Sequence, residues 1–404
     1  MLSKINIPLR VALANIILII NIIVWYTYAS AILEDVVSKA SFTRGEKMIL
    51  DVVLFLSIIA SMLTGASLVN KFNSRKRFIL AWNLIGIFSS FALLISENAT
   101  IVNLSCLLIL VGLSFGLGLP TCMANFADIT TEENRARFGS IVILSMFFGL
   151  LAFGFVISAN LFLNVLALAV WRLLGLASVI LLGNYLENKG QNKSYSIASV
   201  FKDRRVLIYL IPWIMFSSIN FLSWPICSKI YGEDLFNFSL IINNIIGGVF
   251  AFVAGFLADN IGRKRTLVIG FIIFGIGYSA LGIYPFNIHA WYFYTVVDGI
   301  AWGIIDVIFL FTIWGDLASG KPSEKYYAVG ILPYSFSGFL RVTLGQFIVN
   351  AVSEYAIFSF AAFFLFLAVV PLMFAPETLP ERKIRERELR SYIEKAKRIR
   401  EKFT

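Results

Sequence analysis

Charge is what this sequence has least of. Only 14% of its 404 residues are Asp, Glu, Lys or Arg, while 59% are hydrophobic and the mean hydropathy is +0.83. A soluble domain carries roughly a quarter charged residues, so the shortage excludes that class and indicates an integral membrane protein. Histidine occurs once, as His289, which argues against a multi-histidine metal site. Cys106, Cys122 and Cys227 have no paired spacing, so neither a disulfide framework nor a metal site is indicated. There is no G-x-x-x-x-G-K-[ST] phosphate loop, which excludes ATP coupling within the chain by that route. No nucleophile–base arrangement points to an enzyme. Alternating strands of about ten residues, the mark of a membrane β-barrel, are missing too. Neither a cofactor nor a metal is expected.

Long apolar runs are present instead. Stretches of about 20 apolar residues can cross a bilayer as helices, and twelve occur, near 9–31, 48–70, 78–97, 100–122, 138–160, 164–186, 206–228, 239–259, 266–286, 290–315, 327–350 and 355–376. The first is too long for a signal-peptide core and lacks a small-residue cleavage site, so it is expected to stay in the mature protein. The net charge of +10 lies almost entirely on one side. With the N-terminus inside, the inner segments hold Lys4, Arg10, Arg75, Lys76, Arg77, Arg135, Arg137, Arg263, Lys264, Arg265 and more, and the outer ones only Lys39, Arg44, Lys47 and Lys229. This bias puts both termini in the cytoplasm. It also makes the bilayer, not a nucleic acid, the partner of the positive charge.

The chain repeats itself. Gly255-Phe-Leu-Ala-Asp259-Asn-Ile-Gly262-Arg263-Lys264-Arg265-Thr-Leu267 has a degraded copy 188 residues earlier, Ser67-Leu-Val-Asn-Lys71-Phe-Asn-Ser74-Arg75-Lys76-Arg77-Phe-Ile79. Gly112-x-x-x-Gly116 maps near Gly299-x-x-x-Gly303, and Asp128 maps to Asp316. The expected fold is therefore an all-α membrane protein, twelve transmembrane helices in two pseudo-symmetric six-helix bundles. Residues 1–186 form one half and 206–376 the other, with a cytoplasmic linker at 187–205 and a basic tail at 377–404. Helical spacing of Leu389, Tyr392, Ile393, Ala396 and Phe403 predicts a basic amphipathic helix over 382–403.

Over nearly its whole length the chain resembles the major facilitator superfamily. Gly255 to Leu267 fits that family's signature, G-x-L-A-D-x-x-G-R-K-x-x-L, at every fixed position, in the turn between the eighth and ninth spans. The N-terminal copy departs from it at Ser67, Lys71 and Ser74. Pro376-Glu377-Thr378 looks like the terminal motif of sugar and metabolite porters. Ser218-Ile-Asn220 with Trp224-Pro225 is similar to part of the sugar-porter pattern on the seventh span, without its paired glutamines and tyrosines. The resemblance implies a gating set that holds the cytoplasmic side shut: Gly255, Asp259, Gly262, Arg263 and Lys264 in the motif, Asp316 beside them, and Asp128, Arg135 and Arg75 in the first half. Gly255 also allows close helix approach, Gly262 suits a tight helix end, and Asp259 suits a neighbouring helix N-terminus.

Ionisable groups at membrane depth cost about 2.5–3.5 kcal/mol on insertion scales and are functional candidates by default. Asp306 sits midway along the tenth span, with Asp298 and Trp302 able to share its face. Arg341, near the middle of the eleventh span, can pair with Asp306 or bind an anionic substrate. Asn21, Asn220 and Trp224 can add amides and an aromatic face. Arg172, in Trp171-Arg172, is read as an arginine snorkelling to the headgroups at the outer end of the sixth span. Together these predict a monomeric, multi-pass secondary transporter of the cell membrane. It would move a small polar metabolite, a sugar or organic ion, by alternating access coupled to protons. Efflux of amphipathic or cationic drugs and a non-transporting sensor are the alternatives.

Overall fold

The computed structural model describes residues 7–72, 74–97, 100–186, 195–380 and 389; among them there are helices and turns and no strand. The expected tail helix at 382–403 lies, Leu389 apart, outside the described residues.

The first bundle holds α1 (Leu9–Lys39), α2 (Arg44–Leu68), α3 (Arg75–Ala92), α4 (Ile101–Gly116), α5 (Leu119–Ile129), α6 (Arg135–Gly154) and α7 (Leu161–Leu182). α4 and α5 make one span, Ile101–Ile129, broken where Gly116 and Gly118 precede Pro120. A short α8 (Ile197–Phe201) follows. The second bundle holds α9 (Arg204–Tyr231), α10 (Glu233–Ile261), α11 (Arg263–Ile283), α12 (Ile288–Asp306), α13 (Ile313–Leu317), α14 (Ser323–Ala351) and α15 (Glu354–Phe374). A π-helical stretch, Val307–Thr312, joins α12 to α13 within one span.

Eleven of these stretches are long and apolar enough to cross a membrane. α14, at 29 residues, has the length of a twelfth, and Pro333, Ser335, Ser337 and Arg341 dilute its apolar run. Many of the other helices are apolar on all sides, as helices wrapped by lipid and by neighbours are.

Helix starts follow local chemistry. Thr43 and Glu46 form a reciprocal capping box on α2, with the Glu46 carboxylate accepting the Thr43 N–H at 2.7 Å. Gly262, at φ 106°, is the single residue between α10 and α11, a left-handed corner that glycine turns without a Cβ penalty.

Within the first bundle α1 packs on α6 and α7, α3 on α7, and α2 on α4. Within the second, α10 packs on α12, α11 on α12 and α15, and α9 on α14 and α15. The bundles meet along α6 against α10, and along α2 and α5 against α14. Gly255 stands on the first seam, where a Cβ would come 2.4 Å from Ser140 Oγ and 2.7 Å from the Ala136 carbonyl.

Candidate functional site

All nine expected gating residues fall in one layer, at the end of the bundles that carries the basic turn. Asp259 is buried at the end of α10, and its Oδ2 accepts the Arg137 N–H at 3.1 Å in the first turn of α6, where the helix dipole favours an anion. The Arg137 and Arg263 guanidinium groups lie 3.2 and 3.0 Å from the same carboxylate. Arg263, fully buried, also holds Asp316 at 3.1 Å and donates to the Glu132 carbonyl of the first bundle. Arg135 pairs with the other oxygen of Asp316. Arg75 bridges Asp128 at 2.6 Å and Glu324 at 2.5 Å. Glu377 caps α11, taking the N–H groups of Arg263 and Lys264 at 2.9 and 3.1 Å, and Thr378 donates to Asp316 at 2.9 Å. The Lys264 ammonium reaches out to the Met373 carbonyl at 2.5 Å.

Asp316 joins Asp259 and Arg263 in the second half, but in the first half Asp128 pairs with Arg75 rather than with Arg135 or Arg137. Arg135 and Arg137 instead reach across to Asp316 and Asp259, because the start of α6 abuts the ends of α10 and α13. Removing one partner of such a buried pair costs about 3–5 kcal/mol, mostly through the charge left behind, so the layer clamps one bundle to the other.

Toward the membrane interior lies an aromatic layer. Phe311, on the π-helical stretch, packs edge-on against Phe126 of α5 at 5.2 Å and over Gly139 of α6. Three side chains donate to carbonyls of the π-helical stretch: the Thr312 hydroxyl to that of Val307 at 2.7 Å, the Trp314 indole to that of Phe309, and the Tyr327 hydroxyl to that of Phe311 at 2.6 Å.

Above Phe311 a cavity of about 290 Å³ lies between the bundles. Ile23, Thr27, Phe115, Met123 and Phe147 line it from the first bundle. Trp224, Asn244, Asp298, Trp302, Asp306 and Tyr334 line it from the second. Asp306 is 7% exposed, and its Oδ1 accepts no hydrogen bond among the described residues. Asp298, two turns away, takes a hydrogen bond from Asn243 at 2.5 Å. Among the described residues no basic side chain lines this cavity.

Three expected cavity residues are placed elsewhere. Asn21 and Trp171 clasp each other's backbones, binding α1 to α7. Asn220 accepts from the Tyr278 hydroxyl at 2.9 Å inside the second bundle. Arg341 has no carboxylate within ion-pair distance among the described residues, and so makes no pair with Asp306; its guanidinium stands 5.1 Å from the Trp224 ring and 5.9 Å from that of Phe221. Arg172 is not at the headgroups. It is 0% exposed in the middle of the first bundle, over the rings of Trp25 and Trp82 at 4.4 and 4.7 Å, donating to the Ser114 hydroxyl at 2.6 Å.

Sequence reasoning missed Asn243, Asn244 and Tyr334 in the cavity and Glu324 in the charged layer. The two asparagines stood out as an adjacent polar pair inside an apolar run. Glu324 carried no signal, since its partner comes from the other bundle.

Residues 200–402 match the sequence model of the Major Facilitator Superfamily. The chain belongs to that superfamily. Its members are transporters rather than enzymes, and this one is a multi-pass membrane transporter. No curated protein sequence matches the chain.

Solved superfamily structures share the fold. The fucose:proton symporter FucP of E. coli superposes with a TM-score of 0.67 at 12% identity, over 90% of this chain and 98% of that one. The proton:xylose symporter XylE, bound to 6-bromo-6-deoxy-D-glucose, gives 0.64 at 14%, over 91% and 96%. The human organic anion transporter TETRAN gives 0.60 at 13%, over 90% and 100%. At these identities the likeness is one of fold.

Proposed function

We propose that this superfamily member is a secondary active transporter working by alternating access, with Asp306 as the site where a proton and a small organic solute exchange. The observation that carries the reading is a carboxylate that, among the described residues, has no partner and faces an interbundle cavity lined by no basic side chain. A buried carboxylate without a counter-charge is costly and is relieved by taking up a proton or a cationic group. The cavity chemistry therefore favours a solute with a positive charge and an apolar or aromatic body, against the faces of Trp224, Trp302 and Phe147. This is the organic-cation reading of the alternatives set out above. A neutral hydroxylated metabolite is the second reading, supported by Thr27 on one side of the cavity and Asn244 and Tyr334 on the other.

In this scheme residues 1–186 and 206–376 rock about the cavity, joined by a linker at 187–205, and 377–404 is a tail on the cytoplasmic side. The charged layer is the cytoplasmic gate, shut by Arg135–Asp316, Arg137–Asp259 and Arg75–Glu324, and it opens when these pairs part. The transporter acts as a monomer in the cell membrane with both termini inside. A thermal-shift screen of amines, sugars, organic acids and drugs, followed by flux into proteoliposomes under a pH gradient, tests the scheme. Gradient-driven accumulation lost in Asp306→Asn, with facilitated exchange retained, is the expected result. Accumulation that survives the substitution refutes the proton site. A ligand that binds but is never moved makes the protein a sensor.

A further inference from the structure

Beyond the main cavity two hydrogen bonds join α10 to α12 like rungs. Trp291 Nε1 donates to Ser239 Oγ at 2.9 Å, and one turn along α10 Asn243 Nδ2 donates to Asp298 Oδ2 at 2.5 Å. Four residues of helix set these rungs roughly 6 Å apart. Between them is a chamber of about 10 Å³ bordered by Ser239, Asn243, Thr295 and Asp298. That is room for one body the size of a water molecule. Gly299 and Gly303 bring the helices this close: a Cβ on Gly299 would meet the Asn243 carbonyl at 2.9 Å, and one on Gly303 the Gly247 carbonyl at 2.4 Å.

The oxygen chemistry of the chamber is one-sided. Asp298 is 7% exposed, and its Oδ1 accepts no hydrogen bond among the described residues. Thr295 spends its hydroxyl proton on the Trp291 carbonyl at 3.0 Å, which leaves the oxygen's lone pairs free. Ser239 offers a hydroxyl oxygen, and Asn243, having donated through its nitrogen, keeps its amide oxygen. Among the described residues no cationic side chain lines the space. A carboxylate with one oxygen unpartnered, set among neutral oxygens around a water-sized hole, suits a hard cation, which takes oxygen ligands. An organic cation is too large.

We propose that this chamber binds a dehydrated monovalent metal cation, sodium first, with Asp298 supplying the charge and Ser239, Asn243 and Thr295 the neutral ligands. Asn243, Asp298, Trp224 and Leu240 border both the chamber and the main cavity, so the ion enters and leaves through the transport pathway. The inference rests on the transport reading for its purpose, making the ion a second coupling species beside the proton at Asp306. Its binding can be measured without any transport.

The test uses the purified full-length protein in alkaline buffer, titrated with sodium chloride against choline chloride at constant ionic strength. Tryptophan fluorescence is the readout, since Trp224 and Trp291 wall the chamber, with thermal stability measured in parallel. Sodium is expected to give a saturable change that choline does not. Asp298→Asn is expected to abolish it, and Thr295→Val, which keeps the shape and removes the oxygen, to weaken it by about tenfold. Superposed sodium and choline curves overturn the proposal, as does a sodium response that survives in Asp298→Asn. If Asp298→Asn does not fold, Thr295→Val and Ser239→Ala decide it: an unchanged affinity in both overturns the site. A failure here leaves the Asp306 flux experiment untouched, and intact proton-driven accumulation in Asp306→Asn leaves this binding result untouched.

Discussion

Each bundle buries an ionisable group that has no opposite charge within ion-pair distance among the described residues, and the two solutions differ. In the first bundle Arg172 sits between Trp25 and Trp82, bonded to Ser114, in a notch where a Cβ on Gly86 would come 2.3 Å from its Nε. In the second bundle Asp306 faces an open cavity with one oxygen unpartnered. A guanidinium can be solvated by indole faces, each worth about 2 kcal/mol when desolvated, and packed solid. A carboxylate has no comparable aromatic partner and needs a proton, a donor or a cation. A charge enclosed by packing belongs to the scaffold. A charge left beside empty space is where a solute can act.

That contrast can be broken in several ways. The largest effect expected on activity is that of Asp306→Asn, at least a tenfold loss of pH-gradient-driven accumulation with little change in melting temperature. The largest effect on stability belongs to Arg172→Ala, about 5–7 kcal/mol from two cation–π contacts and a charged hydrogen bond. Flux per folded molecule is expected to hold. Arg172→Ala variants that melt normally but fail to transport would erase the distinction between scaffold and site. Arg75→Ala removes the ion pairs to Asp128 and Glu324 and loosens the charged layer by about 3 kcal/mol; cysteine accessibility from the basic-turn side should rise. Gly86→Ala overpacks the arginine notch and is expected to cost about 1–3 kcal/mol, leaving cavity ligands unaffected.

The smallest effect concerns pH. Hydrogen bonds from Arg205, helped by Lys321, hold the Asp203 carboxyl below its usual 3.8, at about 2. A depressed carboxyl stabilises the fold above its unfolded value and loses that contribution as pH falls from about 4 through about 2. Asp203 lies where α9 begins, partly buried beneath partners whose own charged ends reach solvent, so its share of acid unfolding should be slight. Comparing wild type with Asp203→Asn across that window measures it.

Several of these features were legible in the sequence for plain reasons. Hydropathy marked eleven spans outright and α14 by length, because lipid demands apolar runs. The 188-residue offset picked out Arg263 and Asp316, whose charges recur at Arg75 and Asp128, and the signature between the eighth and ninth spans picked out Asp259. Arg341 was found as an intramembrane charge, but its neighbours were not, because aromatic faces leave no spacing signal. Asn21 and Asn220 were misplaced for another reason. Helices apolar all round do not announce which face looks inward, so an amide in the right span can point at a neighbouring helix.

Composition and periodicity, by themselves, determined that this chain lives in a bilayer, how many times it crosses, and which ends of its helices carry charge. These properties depend on transfer from water to lipid, which acts residue by residue. Tertiary structure alone decided which buried charges meet: Arg135 with Asp316 across the bundles, Arg172 with two indoles, Asp306 with a cavity. Those outcomes depend on helix rotation and on close approach at glycines, and both are set by packing between segments far apart in the chain.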